Sequence, residues 1–276
     1  MPVISTNTAA NSALRFLNAN SSEQSSSLSK IASGSRINKA SDDAAGLAIS
    51  TGLSSDVTTL NQAATNASQA SSILQIADGG MSNIADILER MKALATQSNS
   101  GSVTDDQRTY LQAEFSELQE EIDGIAKGTR YNGESLLDGT GSMASGVDFM
   151  VGTSTTDVIS VQIDDVDSTE LGVDTATINV SSQSGAQTAL TAIDAAINSV
   201  ASSRAEIGAS MSRFEFRSDT IATSIENTEA ANSAITDTDV ATEQTKLSSA
   251  EVKTQAAIAA LSSANEMPQN LLDLLR

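Results

Sequence analysis

The chain has no cysteine, no histidine and no tryptophan, and only two prolines among 276 residues. Without cysteine there is neither a disulfide nor a thiolate nucleophile, and without histidine the commonest metal ligand and the commonest general base near neutral pH are missing. Most familiar catalytic constellations are therefore closed to it. Aromatics make up 3% against 39% hydrophobic residues overall, so any core is thin and aliphatic, which suits slender helical bundles better than thick sandwiches. The prolines are Pro2 and Pro268, leaving Val3 to Met267 free of helix-breaking rings. Basic residues are scarce: 15 against 35 acidic give a net charge of −20, which repels nucleic acid and anionic lipid and favours solubility. No stretch approaches the roughly 18 apolar residues of a membrane span, and Arg15, the first positive charge, precedes no apolar signal core.

What the chain does have is heptad spacing. Leu190, Ile193, Ile197, Val200, Arg204, Ile207, Met211, Phe214, Ser218, Ile221, Ile225, Thr228, Asn232 and Ile235 follow alternating steps of three and four, which specifies a coiled-coil seam. Its polar members, Arg204, Ser218, Thr228 and Asn232, set register at some expense of stability. A second rod runs through Ile73, Ile76, Met81, Ile84, Ile87, Leu88, Met91 and Leu94 and stops at Asn99-Ser100-Gly101. Gly79-Gly80 interrupts that rod where a neighbour approaches closely. A third helix, capped by Thr104-Asp105-Asp106 and ended by Gly128, carries Leu111, Phe115, Leu118, Ile122 and Ile125 on one face. Three such helices bury one another as a rod-like bundle.

Between Tyr131 and Ser184 the pattern changes to short β-prone runs at Val147 to Val151, Ile159 to Ile163 and Thr177 to Val180. The alternation in the second run and the turn-like residues from Gly152 to Asp157 predict one hairpin, the only β element expected, lying against the bundle. The fold class is mainly α, long antiparallel helices in coiled-coil-like bundles with one small β-hairpin region at about 131–184.

The ends form a separate unit. Leu14, Leu17, Leu28 and Ile31 take heptad positions near the start, with Ser21 and Gln24 between them; Val240, Leu247, Thr254 and Leu261, with Ala250, Ala257 and Ala264, do so near the finish. Alanine permits close approach but buries little area, at about 25 cal/mol per Å². The two segments are expected to gain stability only against neighbours, which would also cover Leu271, Leu272, Leu274 and Leu275. The expected domains are 1–43 plus 240–276, and 44–239.

Two motifs carry a resemblance. SGSRINKASDDAAGLAI, Ser33 to Ile49, and the terminal MPQNLLDLLR are, in combination, similar to the bacterial flagellins, as are Ile4-Ser-Thr-Asn7, Tyr131-Asn-Gly133 and Leu171-Gly-Val-Asp174. The resemblance spans the whole chain. It implies a subunit exported unfolded through the flagellar type III channel and assembled outside the cell at the distal tip into a helical filament for motility. Partners implied are other copies of the chain, an export apparatus and chaperone, and the filament cap and hook-junction proteins. The resemblance also implies paired termini in an inner domain and a spoke-like connector containing Arg36, Asn38, Asp42 and Asp43. Flagellins normally carry outer variable domains after the hairpin; here Asp174 is followed closely by the helix at Leu190, which implies a minimal member. Arg90, Leu94 and Glu114 stand where such proteins contact the next subunit and are read by a host innate immune receptor of the Toll-like class, although Glu89 and Ala93 depart from the usual residues there. O-linked sugar is expected, if any, on Ser142, Ser145, Thr153, Ser154, Thr155, Thr156, Ser181, Ser182 and Ser184.

Other constellations are discounted. Asp42-Asp43 and Asp164-Asp165 lack the alternate spacing and sixth-position glycine of a divalent-ion loop, and the first pair reads as a cap for a helix beginning near Ala44 and a partner for a neighbour's basic residue. Glu120-Glu121 is a solvated helix face. Gly139-Thr-Gly141 lacks the lysine and setting of a phosphate loop. No catalytic, cofactor or metal site is expected. The competing readings are a hook-filament junction protein, disfavoured because Asp43 is followed by Ala-Ala-Gly46 and not by proline, a secreted adhesive module using the hairpin, and an enzyme.

Overall fold

The computed structural model describes residues 6–274, with side chains through Met267. Its elements are α1 (Thr8–Ser33), α2 (Ala44–Asn99), α3 (Asp105–Gly128), β1 (Arg130–Tyr131), β2 (Glu134–Ser135), β3 (Val147–Met150), β4 (Val158–Val161), α4 (Gln183–Thr236) and α5 (Val240–Leu274). The chain divides into two compact units, Met1–Val57 with Asn227–Arg276, and Thr58–Glu226. The division falls inside α2 and α4 and not at their ends.

In the first unit α1 and α5 run antiparallel. Asn7 caps α1, its Oδ1 accepting from the Ala10 amide at 3.0 Å, while its Nδ2 donates to the Ala264 carbonyl at 2.7 Å. The inward positions of α5 are Glu243, Leu247, Ala250, Thr254, Ala257, Leu261 and Ala264; those of α1 are Ala10, Ala13, Leu17, Asn20, Gln24, Ser27 and Ile31. Both obey the three-four alternation of a coiled-coil seam. Three expectations shift by one position, however: Leu14, Ser21 and Leu28 face outward, and Ala13, Asn20 and Ser27 take their places. Ala250, Ala257 and Ala264 bring the facing backbone close, and small or slender side chains fit that gap where leucines do not. Val240 likewise lies exposed, and the first inward position of α5 belongs to Glu243.

The second unit is a helix bundle with one continuous aliphatic core. Leu60, Ala63, Ala67, Ala70, Leu74, Ala77, Met81, Ile84, Leu88, Met91, Ala95 and Ser98 line α2's buried face in unbroken three-four steps. The alanine-rich half of that seam holds too little bulk to stand out in the sequence. Ile76, expected in the seam, is exposed because Leu74 and Ala77 occupy the inward positions. The α4 seam follows the predicted spacing: within this unit every position from Leu190 to Ile225 is buried or half-buried. Arg204, a polar seam member, donates from Nε to Asp78 Oδ1 at 2.8 Å, and Lys92 pairs with Asp194 at 2.6 Å, so α2 and α4 are antiparallel.

Helix α3 packs Phe115, Ile122 and Ala126 into the core and begins at Thr104, whose amide donates to Gln107 Oε1 at 3.0 Å, one half of a capping box. Gly79-Gly80 does not interrupt α2. A Cβ at Gly80 would stand 2.5 Å from Thr129 Oγ1 and 2.7 Å from Leu137 Cδ1, whereas one at Gly79 would meet nothing, so the close approach is real and belongs to Gly80 alone.

The expected hairpin forms from β3 and β4, antiparallel, with Val147 opposite Val161 and Met150 opposite Val158. It is fastened to both long helices, since Asn66 donates to the Met150 carbonyl, Arg217 donates to that of Val151, and Phe149 meets Phe214 edge-on at 5.8 Å. A second, unexpected hairpin pairs β1 with β2 around Asn132 (φ 51°) and Gly133 (φ 89°). Two successive positive φ angles are what an Asn-Gly type I′ turn supplies. Thr177 to Val180 is not a strand. Val180 is pinned by side chains instead, its amide donating to Gln112 and its carbonyl accepting from Ser98, each at 2.6 Å.

Candidate assembly interface

The outward faces of α1 and α5 hold most of the large apolar side chains that the first unit leaves uncovered. On α1, Leu14 is 47% exposed, Leu28 56% and Phe16 64%; on α5, Val252 and Ile258 are also exposed. In a chain with so few aromatics, a phenylalanine on the open face of a Ser- and Asn-rich helix has no role in the unit's own core. Leu17 and Ile31 are half-buried in the seam, Leu247 is buried and Leu261 half-buried, so these four hold the pair together. The six predicted residues with described side chains thus split between two jobs. The side chains of Leu271, Leu272, Leu274 and Leu275 lie outside the described residues. Phe16, Val252 and Ile258 were missed in the sequence; their signal was the presence of apolar residues off the heptad stripe.

Residues 34–43 link α1 to α2. Gly34 ends α1 in the left-handed region at φ 70°, where a side chain would be strained. Arg36 then reaches the carboxyl end of α4: its amide donates to the Thr236 carbonyl, and its guanidinium donates to Ile235 O at 2.6 Å from Nη2 and 3.2 Å from Nε. A cation at a helix C-terminus is favoured by the unpaired carbonyls there. The side chain of Asn38 donates to Ser29 Oγ, while the backbone amides of Asn38 and Lys39 donate to Asp42 Oδ2 at 3.0 and 2.9 Å. Those amides, Lys39 first, hold the Asp42 carboxyl below the usual aspartate range. Asp43 Oδ1 accepts from the Gly46 amide at 2.8 Å, capping α2 as the sequence predicted. Gly46 is required here, because a Cβ would sit 2.6 Å from that carboxylate and 2.7 Å from Ile37 Cδ1.

In the second unit Arg90 and Glu114 are exposed and ion-paired between α2 and α3, the guanidinium Nε donating to Glu114 Oε1 at 2.9 Å. Leu94 does not join them on the surface. It is 2% exposed, one turn along α2 on the face turned toward the core, where it belongs to the same apolar cluster as Phe115. The nine serine and threonine hydroxyls singled out for sugar are all on exposed residues. Some already have local work: Ser142 donates to Glu134, and Ser182 Oγ accepts from the Gly185 amide in the first turn of α4.

Among the described residues no group of three or more carboxylates is placed to hold a metal ion, and no helix is long and apolar enough to cross a membrane. Comparison with known proteins adds a separate line of observation. Residues 4–142 match the model of the bacterial flagellin N-terminal helical region, and residues 190–275 that of the C-terminal helical region. The chain is 36% identical to a flagellin of Bacillus subtilis over 99% of both sequences, and 35% identical to a flagellar filament 30.7 kDa core protein of Treponema maltophilum over the same shares. Among solved structures it is similar to a Bacillus cereus flagellin, at 29% identity and TM-score 0.51 over 57% of this chain and 88% of that one.

Proposed function

The chain belongs to the bacterial flagellins and is a structural subunit of the flagellar filament, not an enzyme; from that premise we propose how its parts divide the work. The first unit is the polymerising core. Its seam is built largely from Ala, Ser, Asn and Gln, so α1 and α5 hold each other weakly, and the outward Leu14, Phe16, Leu28, Val252 and Ile258 are covered by neighbouring copies. That set of uncovered apolar side chains is the observation that carries the reading. The connector at Arg36, Asn38, Asp42 and Asp43 is a fixed spoke, since its polar groups are satisfied within the chain. The second unit, with its larger core, is the shell domain of the subunit.

A weakly self-sufficient core also suits a chain that is exported unfolded, escorted by a chaperone that shields its terminal leucines, and placed at the filament tip under the cap beyond the hook-junction proteins. Extracellular placement follows from that route. Seeded polymerisation of the purified full chain, followed by light scattering and electron microscopy, tests the core assignment. Removal of Leu271 to Arg276 abolishes elongation while helicity of the second unit persists by circular dichroism; filaments of normal length from the shortened chain would sink the assignment.

Two surface roles accompany assembly. Arg90 and Glu114 form a subunit contact, and in free monomers the same exposed pair is available to a Toll-like receptor of the host; Leu94, being buried, is not part of that surface. Receptor-reporter assays on Arg90→Ala and Leu94→Ala monomers separate direct contact from misfolding. O-linked modification falls on the exposed hydroxyls between Ser142 and Ser184, and an intact mass of native filament protein equal to that of the bare polypeptide would exclude it.

A further inference from the structure

A groove between the β3–β4 hairpin and α4, about 440 Å³ in volume, holds the exposed Phe216 of α4 beside the guanidinium of Arg213. Val158 and Phe216 are 42% and 73% exposed at its edge. Arg217 is occupied, donating to the Val151 carbonyl at 2.9 Å and pairing with Asp157 at 3.2 Å. Arg213, one turn earlier, is exposed and has no ion-pair partner among the described residues. An apolar rim around an unpaired Arg is a common composition for the centre of a protein contact. In a chain of net charge −20, a surface that joins a cation to uncovered apolar groups is set apart from its surroundings.

The complementary surface lies on the same unit. Helix α3 carries seven acidic and two basic residues. Tyr110, Glu114, Glu117 and Glu121, in steps of four, three and four, form one exposed stripe along it. Tyr110 is 78% exposed. Glu114 already holds Arg90, but Glu117 and Glu121 have no ion-pair partner among the described residues. Neither patch is covered by the other within one molecule. Two different, complementary patches on one unit join copies head to tail, and such a contact extends a chain of subunits without closing on itself.

We propose that the groove at Arg213 and Phe216 receives the Tyr110–Glu121 stripe of a second copy, with Arg213 against the free glutamates and Phe216 and Val158 against the aromatic end. This rests on the filament reading above and names one contact within it. The attraction is between exposed charges, so it acts mainly on assembly at low ionic strength.

Photo-crosslinking in assembled filaments tests it directly. With p-benzoylphenylalanine in place of Phe216, irradiation gives a species of two linked chains whose joined peptide lies within residues 105–128. A linked peptide from elsewhere in the chain, or no linkage in intact filaments, overturns the contact. Charge reversal provides a second measurement should the photoprobe impair elongation. Arg213→Glu raises the critical concentration roughly tenfold at low salt, and adding Glu117→Lys and Glu121→Lys to the same chain brings it back toward the original value. Unchanged assembly of Arg213→Glu, or a triple variant worse than either parent, counts against the pairing. If the unaltered chain fails to elongate from seeds, the filament reading fails with it; if it elongates and the crosslink maps elsewhere, only this contact fails.

Discussion

The hydroxyl of Ser27 donates to Glu243 Oε1 at 2.8 Å across a separation of 216 residues, and both residues are almost fully buried, at 2% and 5% exposure. The other carboxylate oxygen, Oε2, accepts from Lys246 Nζ at 2.9 Å. A carboxylate in a seam of small residues is tolerated only with its oxygens satisfied, and one register of α1 against α5 satisfies them. Ser27→Ala therefore removes about 1 kcal/mol from the paired ends, read as a lower midpoint of thermal filament dissociation with unchanged monomer helicity. Ser27→Thr, which keeps the hydroxyl, recovers part of it.

The same residue makes the paired ends acid-sensitive. Lys246 first, and Ser27 second, hold the Glu243 carboxyl below its ordinary value of 4.5. A carboxyl whose folded pKa is depressed contributes its full stability above the unfolded value and loses it as pH falls through the folded one. Filament stability measured against pH is therefore level above about 4.5 and declines below it. Glu243→Gln lowers stability at neutral pH and flattens the acid limb; an unaltered limb in that variant would assign the acid sensitivity to other carboxylates.

Adjacent glycines in α2 respond in opposite directions. Gly80→Ala drives a methyl into Thr129 and Leu137, destabilising the second unit by about 1–3 kcal/mol. Gly79→Ala meets open space and gains up to about 1 kcal/mol of helix propensity. Urea denaturation of the two variants separates them, and equal shifts would contradict the close approach at Gly80.

Arg108 closes the carboxyl end of α2. Buried at 7% exposure, it donates to Ser98 O at 2.9 Å and Ser100 O at 3.1 Å and pairs with Asp105 at 2.7 Å. Arg108→Ala leaves those carbonyls uncapped and costs roughly 2–3 kcal/mol, and Arg108→Lys restores only part because a single ammonium cannot span both. The thermal midpoint of the monomer reports the loss.

Phe16→Ser and Leu28→Ser alter exposed faces and leave the α1–α5 seam intact. Both raise the critical concentration for seeded assembly by about tenfold or more, since each removes on the order of 1.5–3 kcal/mol of apolar burial gained only in the polymer. Monomer circular dichroism stays the same. Leu17→Ser, which strikes the seam, lowers assembly and α1 helicity together.

The helices were legible wherever bulky apolar residues kept the heptad step. From Leu190 to Ile225 the predicted stripe is the buried stripe, and the Thr104 start of α3 agrees with the capping chemistry written there, while after Gly128 the C-cap is Thr129 in extended conformation. Legibility failed where alanine did the packing. The α2 seam from Ala63 to Ala70 is alanine alone, with nothing bulky enough to mark a face, and on α1 the bulky residues marked the wrong one. Leu14 and Leu28 read as seam because they are leucines, whereas the layer at Ala250, Ala257 and Ala264 draws the partner too near to admit them. The β1–β2 hairpin was missed although Asn132-Gly133 states its turn, because two-residue strands leave no alternation to find. Leu94 was placed on the surface by resemblance, and its apolar side chain belongs with Phe115.

Heptad spacing by itself determined that this is a chain of long helices, and the two motifs carried its resemblance to filament subunits, because periodicity and motif are properties of the chain alone. Which side faces in was decided only by the tertiary structure on α1 and along the alanine-rich stretch of α2. Helix separation sets that choice, and separation depends on the side chains of both partners at once: with Ala250, Ala257 and Ala264 at inward positions of α5 and Ala13, Asn20 and Ser27 at those of α1, Leu14, Phe16 and Leu28 are turned outward, where a second copy can cover them.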